Sequence, residues 1–420
     1  MQAAFIGPVP ESWGGPPRGG GVSSYVQGLA SAVADLGVQV CLLGDNTNAA
    51  AGPLAAMPPA SIQFQPMFRM LGRHAGKALL ALGPSRVARM AARLATQRDV
   101  KMPFEWRLRY VDRAANYDLF LDRTRPSLLH VAHAEFRQFL GQRIAGASMP
   151  VVASVLSATV LLRPTPAWLV QMTIQNYNLA ARLIVCSSFV KEVILPHLAD
   201  PGKLTVILNG TDTEQFRPRS QAEARAALGL DPEEFIVLYS GSLVLPKGVD
   251  LLIRAFAQGL ARRPQSRVIF VGAGPEAEML EKLAAELGVA RQVTLAGYRP
   301  IDELPSWYAA CDLFALPSQS EGLSISLLEA MASGRPVVTT CPDVGTHDAV
   351  QDGVHGYLCR YGDVDALAQA FVNLALQPDR TRQMGIAARQ KAERCFAWPV
   401  VARQVVDVYR DALAQPRGSS

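Results

Sequence analysis

The chain has 420 residues, of which 49% are apolar and 18% charged, with a net charge of +5. That length exceeds what one core ordinarily organises, so two domains are expected, and the apolar share excludes a disordered or fibrous chain. No uninterrupted apolar run is long enough to cross a bilayer, and Met1 to Phe5 carry no basic segment leading into a secretory stretch; the expectation is a cytoplasmic protein.

Cys41, Cys186, Cys311, Cys341, Cys359 and Cys395 are scattered, without a Cys-x-x-Cys pair or clustered histidines. Reduced thiols are expected rather than metal ligands, three of them at apolar runs that read as strands. The charge is uneven. From Arg69 to Arg125 there are 13 Lys or Arg against five acids, a local balance of +8 that leaves −3 for the rest of the chain.

In chain order, Ala3 to Ile6 is a short apolar run, followed by a loop rich in Gly14, Gly15, Gly19, Gly20 and Gly21. Val22, Tyr25, Val26, Leu29, Val33 and Leu36 then recur at helical spacing, and Gly37 ends that helix before the run Val38 to Leu43. This is one βαβ unit with its glycine loop where a phosphate-binding loop would sit. Residues 45–125 are harder to read, with Pro and Ala breaks and arginine-rich helical stretches. Short buried-strand patterns resume at Leu128 to Val131, Val151 to Leu156 and Leu183 to Cys186.

From Phe235 the alternation becomes regular. Apolar runs at Phe235–Tyr239, Val268–Val271, Val293–Leu295, Leu313–Leu316 and Pro336–Thr339 alternate with helical stretches near 249–262, 276–287, 302–310 and 323–333. This predicts a second parallel sheet with helices on both faces. The fold class expected is α/β, with two Rossmann-like, doubly wound domains facing each other across a cleft. The first would span 1–212 and the second 213–399, with an amphipathic helix over 400–414 packing back on the first.

Two places carry chemistry. In PSQSEGLSISLLEAMASGRPVV, Glu321 and Glu329 lie eight residues apart across a strand–loop–helix junction. A parallel sheet puts its ligands at the carboxyl ends of its strands, and a helix starting there offers free N–H groups to a phosphate. Glu321 can then sit in the loop beside a transferred sugar, while Glu329 on the helix accepts hydrogen bonds from a ribose diol. In SGSLVLPKGVDLL, Lys247 opens a helix, an unfavourable place for a cation unless an anion is near. A lysine there would neutralise a diphosphate leaving group.

With these residues in place, the chain resembles the family 4 glycosyltransferases of the GT-B fold, which retain anomeric configuration. The resemblance runs through GGVSSYVQGLASAVADLG, LLHVAH, VILNGTDTEQF, LYSGSLVLPKGVDLLIRAF, VGAGPE, VTLAGYRPIDELPSWYAACDLFALPSQSEGLSISLLEAMASGRPVV and DGVHGYL. It implies a hexosyltransferase using a nucleoside-diphosphate sugar as co-substrate and no other cofactor. Glu329 would hold the ribose hydroxyls, Glu321 the donor sugar and Lys247 the diphosphate. Gly20 and Gly21 would admit the donor phosphates and the acceptor. Gly241, Ser242, Gly322, and the backbone N–H groups of Leu323 and Ser324 would complete the donor site. The family's histidine at the end of a first-domain strand matches His133 or, alternatively, His130.

One position departs from the family. An arginine usually follows the glycine matched by Gly241, where this chain has Ser242, which brings no charge. Arg299 and Arg18 are candidate substitutes. Asp363-Val364-Asp365 superficially matches a metal-binding Asp-x-Asp, but its place before the run Ala366 to Leu376 predicts a helix N-cap, and no metal requirement is expected. The basic segment 69–125 has two readings: peripheral contact with a membrane or an anionic, lipid-linked hydroxyl acceptor, or a solvated face. No nucleic-acid motif accompanies it. Two other functions would use the same residues: a nucleotide-sugar epimerase, and a non-catalytic sugar-nucleotide-binding subunit.

Overall fold

The computed structural model describes residues 1–9, 21–44, 59–66, 116–117, 120–132, 149–263, 265–341 and 345–414. His133, Gly20, Arg18 and the greater part of the basic segment, residues 69–115, lie outside these.

The chain divides into two compact units. The first comprises Met1–Cys186, Val190–Ile207 and the residues from Ala402 onward; the second comprises Ser187–Phe189 and Leu208–Val401. Division thus falls at 207/208 rather than at Asp212. The terminal helix Trp398–Ala414 changes unit at Ala402.

Among the described residues the first unit holds a seven-stranded sheet in the order β3-β2-β1-β4-β5-β6-β7. Its strands are β1 (Gln2–Gly7), β2 (Gln39–Gly44), β3 (Ile62–Pro66), β4 (Leu128–Ala132), β5 (Val151–Val155), β6 (Arg182–Val185) and β7 (Leu204–Val206). Every neighbouring pair is parallel. Parallel strands covered on both faces are mostly apolar, and β4 and β5 are buried at every residue, with His130 and Ser154 their polar members. β1 and β2 are joined by the helix Gly21–Asp35, closed by Gly37 in a left-handed conformation (φ 81°).

The second unit holds six parallel strands in the order β10-β9-β8-β11-β12-β13. They are β8 (Phe235–Ser240), β9 (Ser266–Val271), β10 (Val293–Gly297), β11 (Leu313–Leu316), β12 (Val337–Cys341) and β13 (Gly356–Arg360). The chain builds outward from β8 to β10, then returns to lay β11 on the other side of β8. The winding direction therefore reverses between β8 and β11, and loops leaving their carboxyl ends part to either side and leave a crevice.

Of the cysteines whose side chains are described, Cys41, Cys186, Cys311 and Cys359 are buried and Cys395 is partly so, all as free thiols. Among the described residues no helix is long and apolar enough to cross a membrane.

Candidate donor site in the second unit

The loop after β8 is short and folded back on itself. Leu245–Lys247 form one turn of 3-10 helix, and Gly248 reverses the chain with φ 69° before the helix Val249–Gly259 begins. A side chain at Gly248 would place its Cβ 2.0 Å from the carbonyl oxygen of Pro317. Only glycine allows both that backbone conformation and that approach. Gln319 N–H donates to the carbonyl of Pro246 at 2.8 Å, so the loops after β8 and β11 are joined by main chain on both sides of Lys247.

This clamp brings Lys247 and Glu321 together. Lys247 Nζ donates to Glu321 Oε1, and the hydroxyl of Ser318 donates to the same oxygen at 3.0 Å. The Glu321 side chain is 12% exposed and that of Lys247 31%. The glutamate loop is held from below: Gly345 N–H donates to Glu321 O at 2.9 Å, and Asn209 Nδ2 donates to Leu323 O at 2.8 Å. The helix starts at Ile325, with Ser324 extended as its N-cap, two residues later than the apolar pattern suggests. The Ser324 side chain does not cap the helix and instead meets the Ser326 hydroxyl at 3.0 Å. The first-turn N–H groups of Ile325–Ala332 are left for another acceptor, and a helix terminus favours an anion.

One turn further on, Glu329 is 5% exposed and Tyr308 is fully buried. The Tyr308 hydroxyl donates to Glu329 Oε2 at 2.8 Å. Burial pushes the Glu329 carboxyl up to about 7, opposed in part by that hydrogen bond.

Ser242 is exposed, and its carbonyl accepts from the Tyr239 hydroxyl at 2.7 Å. Arg299 is engaged elsewhere. Its guanidinium lies 5.6 Å from the Trp307 ring and 3.7 Å from the Glu303 carboxylate, and no bond joins it to Lys247 or Glu321. Asp363 accepts from Ala366 N–H at 2.9 Å as the N-cap of Val364–Leu376, and Asp365 accepts from Gln258 Nε2 at 2.7 Å. Both carboxylates of the Asp-x-Asp are committed.

In the first unit, Gly21 opens the helix Gly21–Asp35 with its backbone exposed. His130 is not at a strand end: β4 continues to Ala132 and His130 is completely buried. Its Nδ1 meets the Tyr409 hydroxyl at 2.5 Å and its Nε2 the Ser154 hydroxyl at 2.7 Å, while Phe5 stacks on its ring. Burial lowers its pKa to about 3, so it is neutral. His130 is therefore a core residue with both nitrogens occupied, which corrects the alternative histidine and leaves His133.

Sequence reasoning passed over Tyr308 and Asn209. A tyrosine between apolar residues reads as core, and Asn209-Gly210 reads as a turn; only the tertiary contact reveals what each holds.

Residues 19–215 match the family model described as Glycosyltransferase Family 4, and residues 220–391 match Glycosyl transferases group 1. The chain belongs to glycosyltransferase family 4. Among curated relatives of this family 4 member is D-inositol 3-phosphate glycosyltransferase of Nocardia farcinica, 38% identical over 230 residues, or 53% of this chain and 50% of that protein. The protein of the same name from Streptomyces avermitilis is 35% identical over 265 residues, or 60% of this chain and 57% of that protein. The matches thus span about half the length of these relatives. Among solved structures, sucrose-phosphate synthase from Thermosynechococcus elongatus has a TM-score of 0.79 at 22% identity, covering 99% of both chains. Anabaena HepE in complex with UDP and glucose has a TM-score of 0.73 at 20% identity, covering 98% of this chain and 99% of that one. The fold is GT-B, built from two parallel-sheet α/β domains.

Proposed function

We propose that the protein is a retaining, metal-independent hexosyltransferase that moves a sugar from a nucleoside-diphosphate donor to a hydroxyl acceptor. The observation that carries this reading is the junction of Lys247, Glu321 and the uncapped start of Ile325–Ala332 at the switch point between β8 and β11. A cation and a helix N-terminus meet at this junction, with one carboxylate in the loop before the helix and a second within it.

In this reading Lys247 and the N–H groups from Leu323 and Ser324 into the first turn stabilise the diphosphate. Gly241, Ser242 and Gly322 supply backbone close to it, Glu321 orients the donor sugar, and Glu329 takes the ribose hydroxyls. The family resemblance assigns Gly20 and Gly21 to the donor phosphates and the acceptor, and His133 to the donor sugar. The bond from the anomeric carbon to the phosphate oxygen breaks as the acceptor oxygen bonds to the same face of the sugar. The departing phosphate oxygen takes the acceptor proton. Metal independence is supported by the engagement of both Asp-x-Asp carboxylates in capping and side-chain bonds. Relatives named for D-inositol 3-phosphate, together with the +8 segment, favour an acceptor bearing an anionic group. Anabaena HepE bound to UDP makes a uridine donor the first to try.

The test is thermal unfolding of wild type and Lys247→Ala with UDP, GDP, ADP and TDP, followed by turnover of the matching sugar nucleotides. A ligand that binds the folded state raises the melting temperature. A rise with one nucleotide that the variant loses, and a product of retained configuration formed only with acceptor, are expected. A covalent glycosyl adduct on Glu321 would overturn the same-face mechanism, and turnover of donor to a new sugar nucleotide without acceptor would point to an epimerase.

A further inference from the structure

Glu329 can recognise a vicinal diol only if its carboxylate is ionised and held in one orientation. Neither comes free inside a protein, where burial disfavours the charge and an unanchored carboxylate rotates. One residue supplies the orientation and opposes part of the cost of the charge. Tyr308 lies on the helix Leu304–Ala310, and its hydroxyl donates at 2.8 Å to Oε2 of Glu329. The carbonyl of Ser326 is a second, more distant acceptor at 3.2 Å, so the single phenolic proton goes to the closer and charged partner. The ring itself is fixed between Phe216, edge-on at 5.7 Å, and Phe314, also at 5.7 Å. The bond from Tyr308 to Glu329 is thus made from a ring packed between two aromatic neighbours.

We propose that Tyr308 is a positioning residue for ribose recognition: by anchoring Oε2 it presents the remaining carboxylate oxygen of Glu329 to the donor's hydroxyls. This rests on the reading of the second unit as a nucleotide-sugar site. Tyr308 is fully buried behind Glu329. It acts through Glu329 alone, so its contribution exists only where both the carboxylate and the diol are present.

The experiment uses whichever of UDP, GDP or ADP most stabilises the wild-type protein, together with its 2′,3′-dideoxy analogue. Affinities are measured by calorimetry for wild type, Tyr308→Phe, Glu329→Gln and the double variant. Tyr308→Phe keeps the packed ring and is expected to weaken the ribonucleotide about tenfold, the worth of one charge-assisted hydrogen bond. The dideoxy analogue should bind to it as it does to wild type. In the Glu329→Gln background, which leaves the tyrosine intact, adding Tyr308→Phe should change nothing, because the two act as one unit. Equal weakening of both ligands, or additive losses in the double variant, would assign Tyr308 a structural part only and overturn the proposal. Unchanged ribonucleotide binding by Tyr308→Phe overturns it too while leaving the donor site standing. No binding by wild type to any of the three would overturn the donor-site reading, and this role with it.

Discussion

Lys247 donates its ammonium hydrogen bond to Oε1 of Glu321, joining the loop that leaves β8 to the loop that leaves β11. The two residues are 74 apart in sequence, and each is held by main-chain contacts independent of the other. The contact is partly exposed, so its own stability is modest, about 1 kcal/mol. Lys247→Ala should therefore fold and melt close to wild type. Its affinity for a nucleoside diphosphate should fall by about ten- to a hundredfold, since the one cation bonded at the junction is gone. Calorimetry with UDP checks this; a variant that binds as tightly as wild type would remove Lys247 from the donor site.

Gly248 sets the geometry of that junction. An alanine there meets two penalties, a left-handed backbone (φ 69°) and a Cβ 2.0 Å from Pro317 O. Gly248→Ala should destabilise the protein by about 2–4 kcal/mol, a fall of roughly 5–10 °C in melting temperature. Nucleotide binding should weaken as well, because relief of the clash separates Lys247 from Glu321. Calorimetric melting with and without nucleotide reads both effects.

Glu329 predicts a pH dependence of defined sign. Its carboxyl is raised by burial to about 7 from an ordinary 4.5, so the folded state holds a proton that the unfolded chain releases. Stability contributed by this group is full below 4.5 and is lost as pH rises to about 7, an effect on the order of 3 kcal/mol. Glu329→Gln should accordingly raise the melting temperature at pH 8 and change it little near pH 4.5. Ribose binding demands the ionised form, so wild-type affinity for a nucleoside diphosphate should rise from pH 6 to pH 8. Affinity that falls across that range would show that the protonated carboxyl does the recognising.

The parts legible from sequence are those that depend on one segment. β8 and β11 could be read because strands buried on both faces are apolar throughout, and Lys247 and Glu321 because each follows such a strand. β3 reads Ile-Gln-Phe-Gln-Pro and lies at the edge of its sheet, and β7 has three residues and also lies at an edge. Neither has the length or composition that marks a strand. Tyr308 and Glu329 are each visible as a buried aromatic and a helical acid, but their bond depends on how two helices meet. His130 illustrates the opposite error: a histidine near a strand end invites a ligand role, and the position of its two nitrogens decides against it.

His130 carries its own prediction. It is neutral, with its pKa lowered by burial from 6.5 to about 3, so the folded state binds fewer protons than the unfolded chain below 6.5. Its contribution to stability is full above 6.5 and is lost as pH falls toward 3, at up to about 1.4 kcal/mol per pH unit. Tyr409→Phe removes the partner of Nδ1 on the terminal helix. That should cost about 1–3 kcal/mol, the penalty of a buried polar atom left unmatched. Urea unfolding of Tyr409→Phe at pH 7.5 measures the loss directly, and no change in midpoint would show that the ring nitrogen finds another partner.

Ser242 allows a gain rather than a loss. Its side chain is exposed, and the bonds that shape the loop there use its carbonyl, which accepts from Tyr239 Oη at 2.7 Å and from Val244 N–H at 3.0 Å. A longer side chain therefore leaves the backbone undisturbed. At the junction Lys247 is already bonded to Glu321, and Arg299 is held by Trp307 and Glu303. Among the described residues, a diphosphate would enter a site with little net positive charge from side chains. Ser242→Arg adds a fork of donors one residue beyond Gly241, and should tighten a nucleoside diphosphate about tenfold while leaving the free nucleoside unchanged. Titration of both ligands against wild type and variant decides it. Equal tightening of the nucleoside would mean that the arginine acts on the base or the sugar, and no tightening of either would mean that the diphosphate lies elsewhere.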